Sequence, residues 1–198
     1  MYLWRKMTAS QRELVLAERQ RLRLPWHGPP HAITDIPRHR LITAACYEHH
    51  EYLATPERLQ EFEQTLLKTC ESQSCPVAAW CVLPNHYHAL TFVDDMKGLS
   101  KAIGKLHGST SRSWNAEDAT PGRKVWHRCS DRFMRSDAHF FATLNYVHHN
   151  PVKHGYVTRW RDWPYSSVHH YAEEYGLTWL SDTWTRYPLN RYGKGWDE

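Results

Sequence analysis

Two histidines one residue apart, His86 and His88, are the first residues in the chain whose types and spacing could do chemistry. The surrounding run from Tyr87 to Val93 reads as a strand. Strand side chains alternate between faces, so both imidazoles share one face and Tyr87 packs on the other. Two imidazoles on one sheet face can chelate a divalent metal. The competing reading is a chance H-x-H triplet, since the chain has fifteen histidines. A second set lies near Asn145-Tyr146-Val147-His148-His149-Asn150-Pro151. Helical spacing makes Tyr146 and Asn150 neighbours on one face, in a polar stripe with His139 and Thr143. A tyrosine hydroxyl and a carboxamide oxygen so placed could share one metal-bound phosphate, whereas a half-buried tyrosine that only anchors its helix is the plainer alternative.

The elements that must position these groups follow from pattern. Residues 40–47, RLITAACY, are apolar and β-branched and predict a buried strand. Thr55-Pro56-Glu57 starts a helix whose Leu59, Phe62, Leu66 and Leu67 form a stripe to about Ser72. Val77 to Leu83 is a second strand, joined to the histidine strand by the turn Pro84-Asn85. Gly98 to Trp114 suits a long helix with Leu99, Ile103 and Leu106 inward and Lys101, Lys105 and Arg112 outward. A polar loop over 115–123 precedes one or two short strands in 124–135. Asp137 is the expected cap of a helix that Pro151 should stop at Asn150, with Phe140, Leu144 and Val147 as its apolar ridge. Strand–helix–strand–strand–helix–strand, then a further helix, predicts an α+β fold: a ferredoxin-like antiparallel sheet with helices on one face and the tyrosine helix added. Ahead of it, Ser10 and Glu13 make a capping box for a helix in residues 1–24. The proline-rich run Leu24 to His31 then ends it. His27 and His31, between prolines, read as structural. The expected organisation is an extension over 1–38, a catalytic domain over 39–170 and an aromatic tail over 171–198.

Composition narrows the class. With 41% hydrophobic and 23% charged residues, the 198-residue chain is that of a folded domain. No apolar run approaches the ~20 residues that span a bilayer, and the first residues lack a secretory signal, so a cytoplasmic protein is expected. Five cysteines without a C-x-x-C pair argue against both a disulfide framework and a cysteine zinc site. A net charge of +4 and a wealth of rings (ten Trp, eleven Tyr) suit an acidic partner with exposed bases, although most of the rings should be core.

Three words taken together carry a resemblance. Val82-Leu83-Pro84-Asn85-His86-Tyr87-His88, then Tyr146-Val147-His148-His149-Asn150-Pro151-Val152-Lys153-His154-Gly155, then Asp162-Trp163-Pro164-Tyr165-Ser166-Ser167 resemble the REP-associated tyrosine transposases, single-tyrosine members of the HUH superfamily. The resemblance implies a transposase-type single-stranded DNA endonuclease and strand transferase, acting near hairpins through a 5′-phosphotyrosine intermediate. It implies Mg²⁺ or Mn²⁺ held by His86 and His88, Tyr146 as the nucleophile and Asn150 as an amide-type third ligand where many relatives carry Gln. His148 and His149 are alternative third ligands. Tyr87 stands where the pattern has a bulky hydrophobic residue. The implied partner is a single-stranded DNA hairpin, bound by a monomer or a homodimer with no membrane involved. Lys101, Lys105, Arg112, Lys153, His154, Arg159 and Arg161 are candidate DNA contacts, with Lys97, Arg123 and Lys124 grouped beside the first three, for which a solvated helix face is the alternative; Trp160 and Trp163 interleave rings with Arg159 and Arg161, as a strand-binding groove or plain packing of that segment would. A tyrosine ester stores the energy of the broken bond, which lets an enzyme rejoin strands as well as cut them. A hairpin-binding protein of DNA or RNA without chemistry is the alternative. A zinc hydrolase built on the histidine pair ranks last, because no H-E-x-x-H accompanies it.

Overall fold

The structure is a computed structural model that describes residues 38–190, 192 and 193, with residues 8, 13 and 17. The expected N-terminal helix therefore lies outside the described residues except for Glu13 and Ala17, which are helical and exposed. Ser10 and the run from Leu24 to His31 lie outside them too.

In chain order the elements are β1 (Arg38–Ala45), a 3-10 turn (Tyr47–His49), α1 (Pro56–Ser72), β2 (Val77–Leu83), β3 (His86–Val93), α2 (Met96–Glu117), β4 (Ser130–Phe133) and α3 (Asp137–Lys153). A second 3-10 turn (Trp160–Asp162), α4 (Val168–Glu174) and α5 (Gly176–Arg186) follow. The four strands form an antiparallel sheet in the order β2-β3-β1-β4, which is the ferredoxin-like order expected.

Local chemistry sets the helix starts. Thr55 caps α1 by accepting from Arg58 N at 3.3 Å, with Pro56 in the first turn, where its missing N–H is not needed. Asp95 caps α2 by accepting from Gly98 N at 2.9 Å. Leu59, Phe62, Leu66 and Cys70 of α1 and Leu99, Ile103 and Leu106 of α2 are buried at helical spacing. They cover one sheet face, where Tyr87 sits fully buried with its ring 5.1 Å from that of Phe62. On the other face Leu144 and Val147 of α3 pack against Leu41, Ala79, Cys81, Leu83 and Leu90. Covered on both sides, β3 is buried throughout apart from Phe92, so the alternation usual in a one-sided strand is missing.

Two expectations about α3 need correction. Its cap is Ser136, which accepts from His139 N at 3.2 Å, and Asp137 is the first helical residue. Pro151 does not end the helix, which continues to Lys153. Pro151 lacks only the N–H that would reach Val147, a modest loss in a last turn that terminates at Gly155 with φ +74°.

The segment after α3 closes the sheet edge. Val82 N donates to Tyr165 O and Ser167 N to Trp80 O, both at 3.0 Å, while Trp163 Nε1 donates to Val82 O at 3.0 Å. The word around Trp163–Ser167 thus blocks the free edge of β2, where another strand would otherwise add. Beyond it, Asn145 Nδ2 donates to Thr183 O (3.1 Å) and Tyr187 O (2.8 Å), pinning α5 to α3. All five cysteines are free thiols, and among the described residues no helix is long and apolar enough to cross a membrane.

Candidate active site

His86 and His88 extend from β3 toward α3, and the cross-strand register sets what flanks them. Thr43 of β1 lies opposite His88, and its hydroxyl is 2.8 Å from His88 Nδ1. Asn85, in the turn before β3, places Oδ1 2.7 Å from His86 Nδ1. Both rings are therefore held through Nδ1, so each Nε2 is turned the other way. The rings stand edge to face with centroids 5.1 Å apart and are almost completely buried.

Asn150, one turn after Tyr146, brings Oδ1 to 3.0 Å from His86 Nε2. This contact has a chemical peculiarity. Asn85 Oδ1 at Nδ1 and Asn150 Oδ1 at Nε2 put an amide oxygen at each ring nitrogen of His86. A neutral imidazole has a proton for only one of them, so a cation at the other nitrogen, or a turned amide, satisfies the pair. The Asn150 amide nitrogen, also buried, has no hydrogen-bond partner among the described residues. An imidazole nitrogen and an amide oxygen 3.0 Å apart, with the His88 ring beside them, are donor types that fit a divalent cation. Among the described residues no group of three or more His, Cys, Asp or Glu side chains could hold a metal ion.

Tyr146 is fully buried beside this cluster, its ring 5.2 Å from that of His88. Its hydroxyl accepts from Lys153 Nζ at 3.2 Å, two helical turns along. Tyr192 and Gly193 cover the other side. The Tyr192 hydroxyl bonds that of Thr143, and the Gly193 carbonyl accepts from Lys153 Nζ at 3.4 Å. Gly193 has φ +74°, and a Cβ there would lie 2.1 Å from the Tyr146 ring, so only glycine allows so close a cover.

The other expected residues are distributed unevenly. His154 lies near the cluster, its ring 4.8 Å from that of His86, and Lys153 reaches Tyr146. His148 and His149 turn away. His148 Nε2 contacts Ser167 Oγ at 3.1 Å, and burial pushes its pKa down to about 3. His149 Nδ1 donates to Asn145 O at 2.9 Å, and its ring meets Trp184. Neither comes to the His86–Asn150 contact. Lys101, Lys105 and Arg112 are exposed on α2, across the sheet from Tyr146. Arg159 is engaged by Asp162 at 2.8 Å, Arg161 lies over Trp160, Arg123 pairs with Asp118 at 2.6 Å and Lys124 lies over Tyr47. Thr43, Asn85, Tyr192 and Gly193 carried no sequence signal of a role at the site; only the position of Asn85, next to His86, could have pointed to it.

The model of the family described as "Transposase IS200 like" matches residues 38–156, which hold His86, His88, Tyr146, Asn150, Lys153 and His154 but not Arg159, Arg161, Tyr192 or Gly193. A Haemophilus influenzae protein named as a REP-associated tyrosine transposase is 31% identical over 134 residues, which is 60% of this chain and 76% of that protein. An Escherichia coli K12 REP-associated tyrosine transposase is 25% identical over 130 residues, 62% of this chain and 73% of that one. Among solved structures, a REP-associated tyrosine transposase bound to a REP hairpin is similar in fold, with a TM-score of 0.57 at 20% identity, covering 74% of this chain and 87% of that chain.

Proposed function

Because the chain belongs to the IS200-like transposase family, as a REP-associated tyrosine transposase within it, we propose that it cuts and rejoins single-stranded DNA beside hairpins through a bond to Tyr146. The observation that carries this reading is the meeting of Tyr146 with the His86–His88–Asn150 cluster, brought together from β3 and from an α3 whose residues lie some 60 positions further along the chain. His86, His88 and Asn150 are the residues that would hold Mg²⁺ or Mn²⁺, which when bound supplies a Lewis acid for the scissile phosphate.

The rest of the chemistry belongs to the chain. Tyr146 Oη attacks phosphorus, the Oη–P bond forming as the P–O3′ bond breaks. The phenolic proton passes to solvent, and the leaving oxygen takes a proton to become a free 3′-hydroxyl. A 3′-hydroxyl attacking the stored tyrosine ester reverses the step and joins strands. The cutting unit is read as a monomer or a homodimer. Lys153, which reaches Tyr146, and His154, beside His86, are read as contacts to the strand being cut. Lys101, Lys105, Arg112, Arg159 and Arg161 are read as contacts to more distant phosphates, with Arg159 exchanging Asp162 for DNA. Since Tyr146 is closed over by Tyr192 and Gly193, a phosphate reaches it only when that segment is displaced.

The reading is tested with a pool of DNA hairpins carrying randomised stems and single-stranded flanks. Denaturing gels should show DNA joined to the protein with Mg²⁺ or Mn²⁺ and none with chelator, and hairpins should outcompete matched duplex at fixed salt. Binding without any joined DNA would leave the alternative, a hairpin-binding protein without chemistry.

The ring-holding bonds make a separate prediction. Groups that orient metal-binding imidazoles are typically worth 10–100-fold in affinity. Thr43→Val and Asn85→Ala should each weaken Mn²⁺ binding by about that factor in titrations followed by electron paramagnetic resonance, and Thr43→Ser should retain it. Unchanged affinity in Thr43→Val would mean that other contacts orient His88.

A further inference from the structure

We infer that Lys153 is a catalytic residue that grips the scissile phosphate itself, beyond the general contribution of a basic side chain to DNA binding. The inference rests on the reading of Tyr146 as the nucleophile. Its ground is the position of the ammonium. Lys153 is exposed at the end of α3, yet Nζ reaches back two turns to donate to Tyr146 Oη at 3.2 Å and lies 4.7 Å from the centre of its ring. Nζ also donates to the Gly193 carbonyl at 3.4 Å. One cation thus bridges the attacking oxygen and the backbone oxygen that closes over it.

The same bridge describes what happens when DNA replaces the cover. A phosphorus atom about to be attacked lies within roughly 3–3.5 Å of Oη. Its non-bridging oxygens then enter the space beside Nζ that the Gly193 carbonyl occupies, and the ammonium exchanges one oxygen acceptor for another bearing charge. Lys153 keeps its charge and its protons throughout. It aligns Oη with phosphorus and stabilises the negative charge that gathers on the non-bridging oxygens as the Oη–P bond forms and the P–O3′ bond breaks. A lysine suits this task as a compact point charge on a flexible stem, able to turn from the Gly193 carbonyl to phosphate without leaving Oη.

The test uses the full chain and a hairpin recovered from the randomised pool by its covalent capture on the wild-type protein. Lys153→Met, which keeps the stem and removes the charge, should slow single-turnover formation of the protein–DNA bond by roughly 10²–10³-fold. Binding of the whole hairpin should weaken far less than the rate falls, because one phosphate contact among many contributes little to the grip. Lys153→Arg should recover a substantial part of the rate. A substrate with a neutral methylphosphonate at the cleaved position removes the charge that Lys153 answers, so wild type and Lys153→Met should cut it at similar rates. A Lys153→Met rate within about threefold of wild type on ordinary DNA, or an equal loss on both substrates, would overturn the assignment. If the wild-type protein captures no hairpin from the pool, the reading of Tyr146 as nucleophile fails first and this inference with it. If wild type captures DNA and Lys153→Met matches it, the inference alone fails.

Discussion

Tyr146→Phe should retain hairpin binding and lose the protein–DNA bond entirely. The substitution removes one oxygen from a ring that is fully buried among His88, Tyr192 and Gly193, so packing is preserved. The hydrogen bond from Lys153 is given up, but its ammonium keeps the Gly193 carbonyl, and the net loss in stability is about 1 kcal/mol. The chemistry has no such reserve. A phenyl ring offers no lone pair, and loss of a nucleophile in a covalent mechanism lowers rates by on the order of 10⁴-fold or more. With the DNA labelled separately on each side of the cut, the wild-type protein should carry the fragment on the 5′-phosphate side and release one ending in a 3′-hydroxyl. A protein joined to the opposite fragment would refute the mechanism, and so would undiminished cutting by Tyr146→Phe. The second result would point to water as the nucleophile, and to a nuclease with no stored bond for rejoining.

The parts of this arrangement that show in the sequence are those governed by short-range rules. The spacing of His86 and His88 fixes their common face once β3 is a strand, and the i, i+4 spacing of Tyr146 and Asn150 does the same on α3. The start at Thr55 and the Leu59–Phe62–Leu66 row place α1 closely, whereas the Leu99–Ile103–Leu106 row finds α2 but not its ends at Met96 and Glu117. Across-chain geometry is different. Nothing local indicates that Thr43 would lie opposite His88, since that depends on the pairing of β1 with β3. Gly193 closes on Tyr146 from far along the chain. The run of exposed cations on α2 reads in sequence like a DNA-binding face, yet the sheet stands between it and Tyr146, a relation that only the layering of α1 and α2 against α3 decides. Pro151 is the reverse case: the local rule is sound, but a proline in the last turn gives up a single hydrogen bond and the helix outlasts it.

The fold should lose stability on mild acidification, and two histidines outside the active site account for most of the loss. His107 stacks on Trp126 at 4.5 Å and contacts the Tyr87 hydroxyl at 3.0 Å; burial lowers its pKa to about 4. His148 is lowered to about 3, by burial first and then by the neighbouring His149 and His169. In the unfolded chain both return to about 6.5. Below that value the unfolded state takes up two protons that the folded state refuses, so stability falls as pH falls. Each group contributes about 1.4 kcal/mol of loss at pH 5.5, or about 3 kcal/mol together, a large part of the ~5–15 kcal/mol that holds a typical domain. His39, His139 and His149, also lowered by burial, add in the same direction. Glu63 opposes them: burial raises its pKa, so protonation favours the fold, an effect centred nearer the carboxylate range. Glu117 and Asp118 are held down by hydrogen bonds, from Ser113 and Arg58 for the first and from Arg58 and Arg123 for the second, and withdraw their support only at lower pH. Urea unfolding at pH 7.5 and 5.5, with chelator present so that no divalent cation enters the comparison, should show the roughly 3 kcal/mol difference. His107→Gln and His148→Gln should each remove about half of it, since an amide cannot gain the proton. Equal stability at the two pH values would mean that both rings already carry a charge in the folded protein, and that the layer around Tyr87 and the contact with Ser167 admit water that the packing excludes.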